Sequence, residues 1–135
     1  MSEFIDELKK EHKKILDLYK KVEDAEEYDE RENYLKKIKN LLVEHLKKED
    51  EYLYPPLKEE AEKDENFKVA LDFFITNIKK VTEDFNEFFE LYSTNQLSED
   101  TIIESLKALK KILVERIEKE EEILYMEYDK RVKKS

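Results

Sequence analysis

The chain has 135 residues, a length that fits one domain, 1–135, and allows a proper hydrophobic core. Glycine and cysteine are absent, 46% of the residues are charged, and the net charge is −10 at pH 7. These values exclude glycine-rich phosphate loops, disulfides and iron–sulfur clusters, and they make nucleic acid and anionic membranes poor partners. No apolar run is long enough to span a membrane, and a reducing cytoplasm is the expected compartment.

Apolar residues recur at helical spacing in four segments, which predicts an all-α fold, an antiparallel up-down four-helix bundle. The first helix starts after Ser2, which is expected to cap it. The second opens at a capping-box-like pair, Asp29 and Glu32, and is expected to end at the Pro55-Pro56 pair.

The second half of the bundle begins after a short connection. The third helix follows Asp64, and the fourth starts at Ser98, where two acids occupy the positive first turn. The last five residues, 131–135, are expected to fray.

The second half of the chain also repeats the first. The segment "KIKNLLVEHLKKEDEYLY" aligns with "ALKKILVERIEKEEEILY" at an offset of 71 residues. The segment "FIDELKKEHKKIL" aligns with "FITNIKKVTEDFN" at an offset of 70 residues. We therefore interpret the chain as two related helical hairpins, about 3–57 and about 65–130.

Five polar residues fall on the predicted inward faces of the helices: His12, His45, Glu49, Arg116 and Glu120. Burying an unpaired carboxylate is unfavourable, so these groups need one another or a cation as partners. His45 and Glu49 lie one helical turn apart and point to the same place on the bundle axis. Imidazole together with carboxylate suits iron, manganese or zinc. A metal-free polar cluster, in which Arg116 pairs with both glutamates, is the other interpretation.

Several further residues near these segments have ordinary explanations. Tyr52, Tyr54 and Tyr125 lie close in sequence to the polar segments, and packing is favoured over iron ligation for all three. Thr82 is expected to bond its own helix backbone. A phosphotransfer histidine is disfavoured, because it needs exposure and His45 lies on a buried stripe.

These segments resemble hemerythrin and the bacterial hemerythrin-like HHE cation-binding domains over nearly the whole chain. "EHKKIL" and "EHLKKEDEYLYP" match the half of the family's di-iron site that lies on the first two helices. In the family, a histidine on the third helix and an H-x-x-x-E motif on the fourth supply the other half. Here the chain departs from the family, since Thr82 and Arg116 stand where those histidines are expected.

The resemblance therefore implies a reduced site that holds one metal ion, or at most two. The fourth-helix carboxylate is Glu120 by the spacing of the repeat, or Glu121 by the spacing of the oxygen carriers. Arg116 is expected to replace the second metal by offering a guanidinium fork to Glu49 and Glu120. The expected ligand set is His12, His45, Glu49 and Glu120.

The resemblance also limits the function. It implies a protein that binds non-heme iron, or another divalent metal, and that binds O2 or NO, or senses or stores iron. The alternative is a metal-free, degenerate bundle that serves as a structural or protein-interaction module. The sequence identifies no protein partner, and it contains no further acid–base pair or nucleophile that would favour an enzyme.

Overall fold

The computed structural model describes residues 2–132, which form four helical rods running alternately up and down. The first rod is α1, the second joins α2 to α3, the third is α4, and the fourth joins α5 to α6. The helices are α1 (Glu3–Asp24), α2 (Tyr28–Lys48), α3 (Tyr54–Ala61), α4 (Glu65–Ser93), α5 (Glu99–Lys119) and α6 (Tyr125–Arg131). Two π-helical turns, Glu49–Leu53 and Glu120–Leu124, join the helices within the second and fourth rods. The predicted all-α bundle of four helices is confirmed.

Three of the predicted helix starts have the expected caps. The side chains of Ser2, Asp64 and Ser98 each accept a hydrogen bond from the backbone N–H three residues further on, at 3.3, 3.2 and 3.2 Å. Each bond satisfies one of the N–H groups that a helix leaves unpaired at its start.

The predicted capping box at the start of the second rod is wrong. The helix begins at Tyr28, so that Asp29 lies inside its first turn, and the residue before it makes no side-chain cap. A tertiary contact replaces the cap, because the ring of Tyr28 stacks on that of Tyr92 with centroids 4.7 Å apart. The Tyr28 hydroxyl also donates to the Tyr92 carbonyl at 2.8 Å.

The predicted end of the second rod at Pro55-Pro56 is wrong as well. The rod continues to Ala61, and the two prolines occupy the first turn of α3. The preceding π turn ends with a hydrogen bond from the Tyr54 N–H to the Glu49 carbonyl. Because first-turn N–H groups need no partner within their own helix, proline is tolerated there.

The connection between α4 and α5 uses asparagine where a glycine would be common. Asn95 has a φ of 57°, which is the left-handed conformation. The N–H of Asn95 donates to the Tyr92 carbonyl, and that of Gln96 to the Leu91 carbonyl, both at 3.0 Å. These bonds close the end of α4, and asparagine is the residue that replaces glycine there most readily.

The end of the fourth rod is better anchored than expected. Arg131 belongs to α6 and donates to Asp64 at 3.0 Å and also to Glu127, so the prediction that fraying begins at residue 131 is wrong. The remainder of that prediction concerns residues 133–135, which lie outside the described part of the chain.

Two apolar clusters fill the bundle, one above the other. The upper cluster includes Ile15, Tyr19, Ile38, Val81, Phe85, Leu113 and Ile117. The lower cluster includes Ile5, Leu8, Leu53, Leu57, Leu71, Leu124 and Tyr125. On three of the four rods a buried polar residue separates the two clusters, so a polar layer crosses the middle of the core. Within residues 2–132, no helix has both the length and the apolar composition that crossing a bilayer requires.

Candidate metal centre

Four buried polar side chains make up the layer between the two apolar clusters. His12 lies on α1 between Leu8 and Ile15, and His45 lies in the last turn of α2. Glu49 and Glu120 are the first residues of the two π turns. The exposed fractions of His12, His45, Glu49 and Glu120 are 3%, 3%, 0% and 4%.

The π turns place the two glutamates at equivalent positions of the sequence repeat. Each turn begins with the buried glutamate and is followed by a buried tyrosine, Tyr54 or Tyr125. A π turn is a rare departure from α-helical geometry and is frequent at functional sites. Sequence reasoning missed both turns, since no residue type predicts one.

The ligand-type atoms of the four residues converge, all lying within 4.8 Å of one another. His12 Nε2 lies 3.0 Å from His45 Nε2 and 3.1 Å from Glu120 Oε2. His45 Nε2 lies 3.3 Å from Glu49 Oε2 and 3.9 Å from Glu120 Oε2. Two ligands bound at right or tetrahedral angles to one ion, about 2.1 Å away, would lie about 3.0 to 3.5 Å apart. The residues present therefore fit a single metal ion.

Both histidines are held by carboxylates outside the layer. His12 Nδ1 donates to Glu121 at 2.9 Å, and His45 Nδ1 donates to Glu11 at 2.8 Å. Lys48 in turn contacts Glu11. Because each Nδ1 carries its proton towards a carboxylate, each Nε2 faces the layer, and it is the free nitrogen whenever the imidazole is neutral, which is how metal-binding histidines are usually held. Sequence reasoning missed Glu11 and had considered Glu121 only as a direct ligand.

The hydroxyl of Tyr125 lies at the centre of the polar layer. It donates to Glu49 Oε2 at 2.7 Å and lies 3.1 Å from Glu120 Oε2. It also lies 3.2 Å from His12 Nε2 and 3.4 Å from His45 Nε2. By contrast, Tyr52 is 60% exposed. Of the three tyrosines considered from sequence, Tyr125 is the one whose hydroxyl contacts all four ligand-type atoms.

The guanidinium fork expected from Arg116 is wrong. Among the described residues, Arg116 Nη1 and Glu49 Oε1 are both buried, and neither has a hydrogen-bond partner. The oxygens on the cluster side, Glu49 Oε2 and Glu120 Oε2, are already taken by Tyr125 and the histidines. The phenol and the imidazoles thus provide the hydrogen-bond donors that sequence reasoning assigned to the arginine.

The third rod contributes little to the layer. The Thr82 hydroxyl donates to the Ile78 carbonyl at 2.8 Å, as expected for a threonine that bonds its own helix. Both residues line a groove of about 520 Å³ between α2 and α4. Neither side chain carries a nitrogen ligand, so this side of the bundle offers no imidazole to the layer.

Burial and mutual charge shift the protonation of the layer. Burial alone would lower the pKa of His45, but hydrogen bonds and charges of Glu120 and Glu49 raise it to about 10. Burial likewise opposes the charge on Glu120, yet hydrogen bonds from His12 and His45 bring its pKa to about 2. Burial and the neighbouring Glu120 charge raise the pKa of Glu49. In the metal-free protein a proton on His45 therefore supplies the positive charge.

The metal-free protein is expected to lose stability as the pH rises from neutral towards about 10. The folded pKa of His45 exceeds its ordinary value of 6.5, so its contribution is complete below 6.5 and is lost as the pH passes through about 10. The loss is at most about 1.4 kcal/mol per pH unit for one proton. Urea unfolding of chelator-treated protein across this range measures the slope. His45→Gln is the control and should have a flatter profile, and equal profiles for the two proteins would contradict the assignment.

The structure brings together all four residues that the sequence suggested as ligands, and their binding of a metal stays a prediction. Glu121 does not enter the cluster but lies behind His12. A buried group of two imidazoles and two carboxylates in an antiparallel bundle is typical of four-helix proteins that hold non-heme metal ions.

The comparisons with known proteins identify the family. Residues 3–128 match the family model described as the hemerythrin HHE cation binding domain. The chain therefore belongs to the hemerythrin family, as its resemblance to that family had indicated. No curated protein and no solved structure matches the chain.

Proposed function

We propose that this protein binds one non-heme iron ion through His12, His45, Glu49 and Glu120. The observation that carries the proposal is the approach of His12 Nε2 to His45 Nε2, 3.0 Å apart. Since both Nδ1 atoms donate to carboxylates, two nitrogen lone pairs face each other and repel unless a cation lies between them. A proton serves in the metal-free protein, and a metal ion is the alternative cation.

The choice of iron and the count of one rest on chemistry. Two nitrogen and two oxygen ligands suit iron, manganese and zinc, and membership of the hemerythrin family favours iron. One ion is favoured because Thr82 and Arg116 offer no imidazole to a second. Glu11 and Glu121 would keep the histidines oriented, and the two apolar clusters would limit water around the site.

We propose that the site serves either to bind a small ligand at the metal or to hold the metal itself. A bound ferrous ion would supply the redox-active centre to which O2 or NO binds. Because all four ligands are buried, a molecule that reaches the ion would have to be as small as a diatomic. Sensing or storage of iron would use the same residues without a gas.

A metal-free structural or interaction module is the second candidate. It is favoured by the contact of the Tyr125 hydroxyl with all four ligand-type atoms, which links the layer without an ion. In that case, the polar layer would be a remnant of a metal site.

Metal content after anaerobic reconstitution separates the two candidates. Chelator-treated protein is loaded with ferrous iron, desalted and assayed for iron per chain, with zinc and manganese loaded in parallel. About one iron per chain is expected, together with a higher unfolding temperature, since a ligand at a hundred times its Kd stabilises by about 2.7 kcal/mol. No bound metal would leave the structural module, and two irons per chain would contradict the single-ion proposal.

A further inference from the structure

The position of the Tyr125 hydroxyl suggests more than packing. Its distances to the four ligand-type atoms are 2.7, 3.1, 3.2 and 3.4 Å, so it is adjacent to all of them. We infer that the phenol oxygen of Tyr125 is a fifth ligand of the iron. This inference rests on the proposed single-iron site. It assigns the centre two nitrogen and three oxygen ligands, all supplied by side chains of this chain.

The hydroxyl cannot donate to both carboxylates in the metal-free protein. A phenol has one proton to donate, yet the oxygens of Glu49 and Glu120 both lie within hydrogen-bond distance. One of these contacts therefore brings two acceptors together unless a further cation or proton lies between them. An ion held by both carboxylates and the phenol oxygen removes this conflict.

The side chain also has no room to leave the site when an ion enters. Tyr125 is 1% exposed and belongs to the lower apolar cluster. Its ring stacks on His12, with centroids 5.6 Å apart and planes inclined by 13°. Moving the ring away would open a void in a close-packed core, which is costly. An ion bound by the four other residues would therefore have the phenol oxygen as a neighbour.

The ligation step balances in charge and atoms. The phenol O–H bond breaks, an oxygen lone pair forms the bond to the metal, and the proton leaves for solvent. Two carboxylates and one phenolate carry three negative charges, which equal the charge of a ferric ion. Tyr125 thus favours the ferric state at a site that lacks a second metal.

Spectroscopy of the iron-loaded protein tests the inference. The protein is loaded with ferrous iron, oxidised with hexacyanoferrate, and examined by visible absorption and resonance Raman spectroscopy. A phenolate bound to ferric iron gives a visible charge-transfer band whose Raman spectrum contains tyrosine ring modes. We expect this band in the wild type and its complete loss in Tyr125→Phe.

Tyr54 provides a matched control. It occupies the equivalent position after the other π turn, and it is also buried. Tyr54→Phe should keep the band, and loss of the band in this variant alone would overturn the assignment to Tyr125.

The iron count distinguishes failure of the inference from failure of the proposed function. About one iron per wild-type chain without the band would overturn ligation by Tyr125 and leave the four-ligand site intact. No iron in the wild type would overturn both proposals. If Tyr125→Phe loses iron as well as the band, while the wild type has both, the inference is supported, because the ring is retained and only the oxygen is removed.

Discussion

Glu49→Gln is expected to stabilise the metal-free protein and to abolish iron binding. Glu49 has no exposed surface, and its Oε1 is buried without a hydrogen-bond partner among the described residues. Burial and the charge of Glu120 raise its pKa above the ordinary 4.5, so the carboxylate is less easily charged in the folded protein than in the unfolded one. The charged carboxylate therefore lowers the free energy of unfolding at neutral pH, and a neutral amide of the same shape avoids that penalty.

The expected gain is about 1 kcal/mol, because a buried charge is removed while the amide NH2 takes the unpartnered place of Oε1. The gain is moderated because the Tyr125 hydroxyl donates to Glu49 and would need the amide oxygen instead. An amide is a far weaker ligand than a carboxylate for a hard cation, so the variant should bind no iron. Wild-type protein should show the reverse behaviour, being less stable without metal and more stable with it.

Urea unfolding of chelator-treated protein and an iron titration measure the two effects. Glu44→Gln is the matched control, since Glu44 lies on the same rod but is exposed, and it should change neither quantity. A metal-free Glu49→Gln protein that is less stable than wild type would indicate that the carboxylate serves the fold. Unchanged iron content in Glu49→Gln would remove Glu49 from the ligand set.

The residues whose burial lowers the stability of the fold are the ones that the sequence predicts. His12, His45, Glu49 and Glu120 are polar residues at apolar positions of a helical repeat, and that conflict is visible without a structure. The caps at Ser2, Asp64 and Ser98 are also local features, since each depends on a side chain and an N–H three residues away. Both kinds of prediction use only the 3.6-residue period and short-range hydrogen bonding.

The π turns account for most of what could not be predicted at the site. In an α-helix, a residue five positions on lies about 140° away around the axis. In a π turn that residue hydrogen-bonds back to the first and returns near the same face. The turn at Glu120 thus brings Tyr125 to the side that Glu120 occupies. The turn at Glu49 ends just before the two prolines, which lie in the first turn of α3. A uniform helical period does not include the turn at Glu120, and it therefore predicts that Tyr125 is a packing residue.

The start of α2 and the behaviour of Arg116 depended on tertiary contacts. Stacking between Tyr28 and Tyr92 joins residues 64 positions apart, and no local sequence pattern predicts such a contact. The sequence predicts that Arg116 pairs with the glutamates because, without a second metal ion, the carboxylates lack its positive charge. Once the Tyr125 hydroxyl is placed among them, the carboxylates have donors and the fork is not needed.

Restoring the missing imidazoles is expected to raise the iron content from about one to about two per chain. The double variant Thr82→His and Arg116→His places a histidine at each position where the family has one. Neither change breaks a tertiary hydrogen bond that involves the replaced side chain: Thr82 bonds its own helix, and Arg116 Nη1 has no partner among the described residues. Glu49 Oε1 is likewise unpartnered, so one carboxylate oxygen is available to a second ion while the other stays with the first.

Charge favours the same outcome. Arg116 carries a permanent positive charge, which repels a cation on this side of the layer. Its replacement by a neutral imidazole removes that repulsion and adds a nitrogen ligand, whereas Thr82→His alone adds a ligand and keeps the repulsion. Thr82→His alone should therefore stay near one iron per chain. Iron analysis gives the count, and antiferromagnetic coupling seen by Mössbauer spectroscopy would place the second ion beside the first. A double variant that still holds one iron would mean that the third and fourth rods do not face the site as the repeat requires.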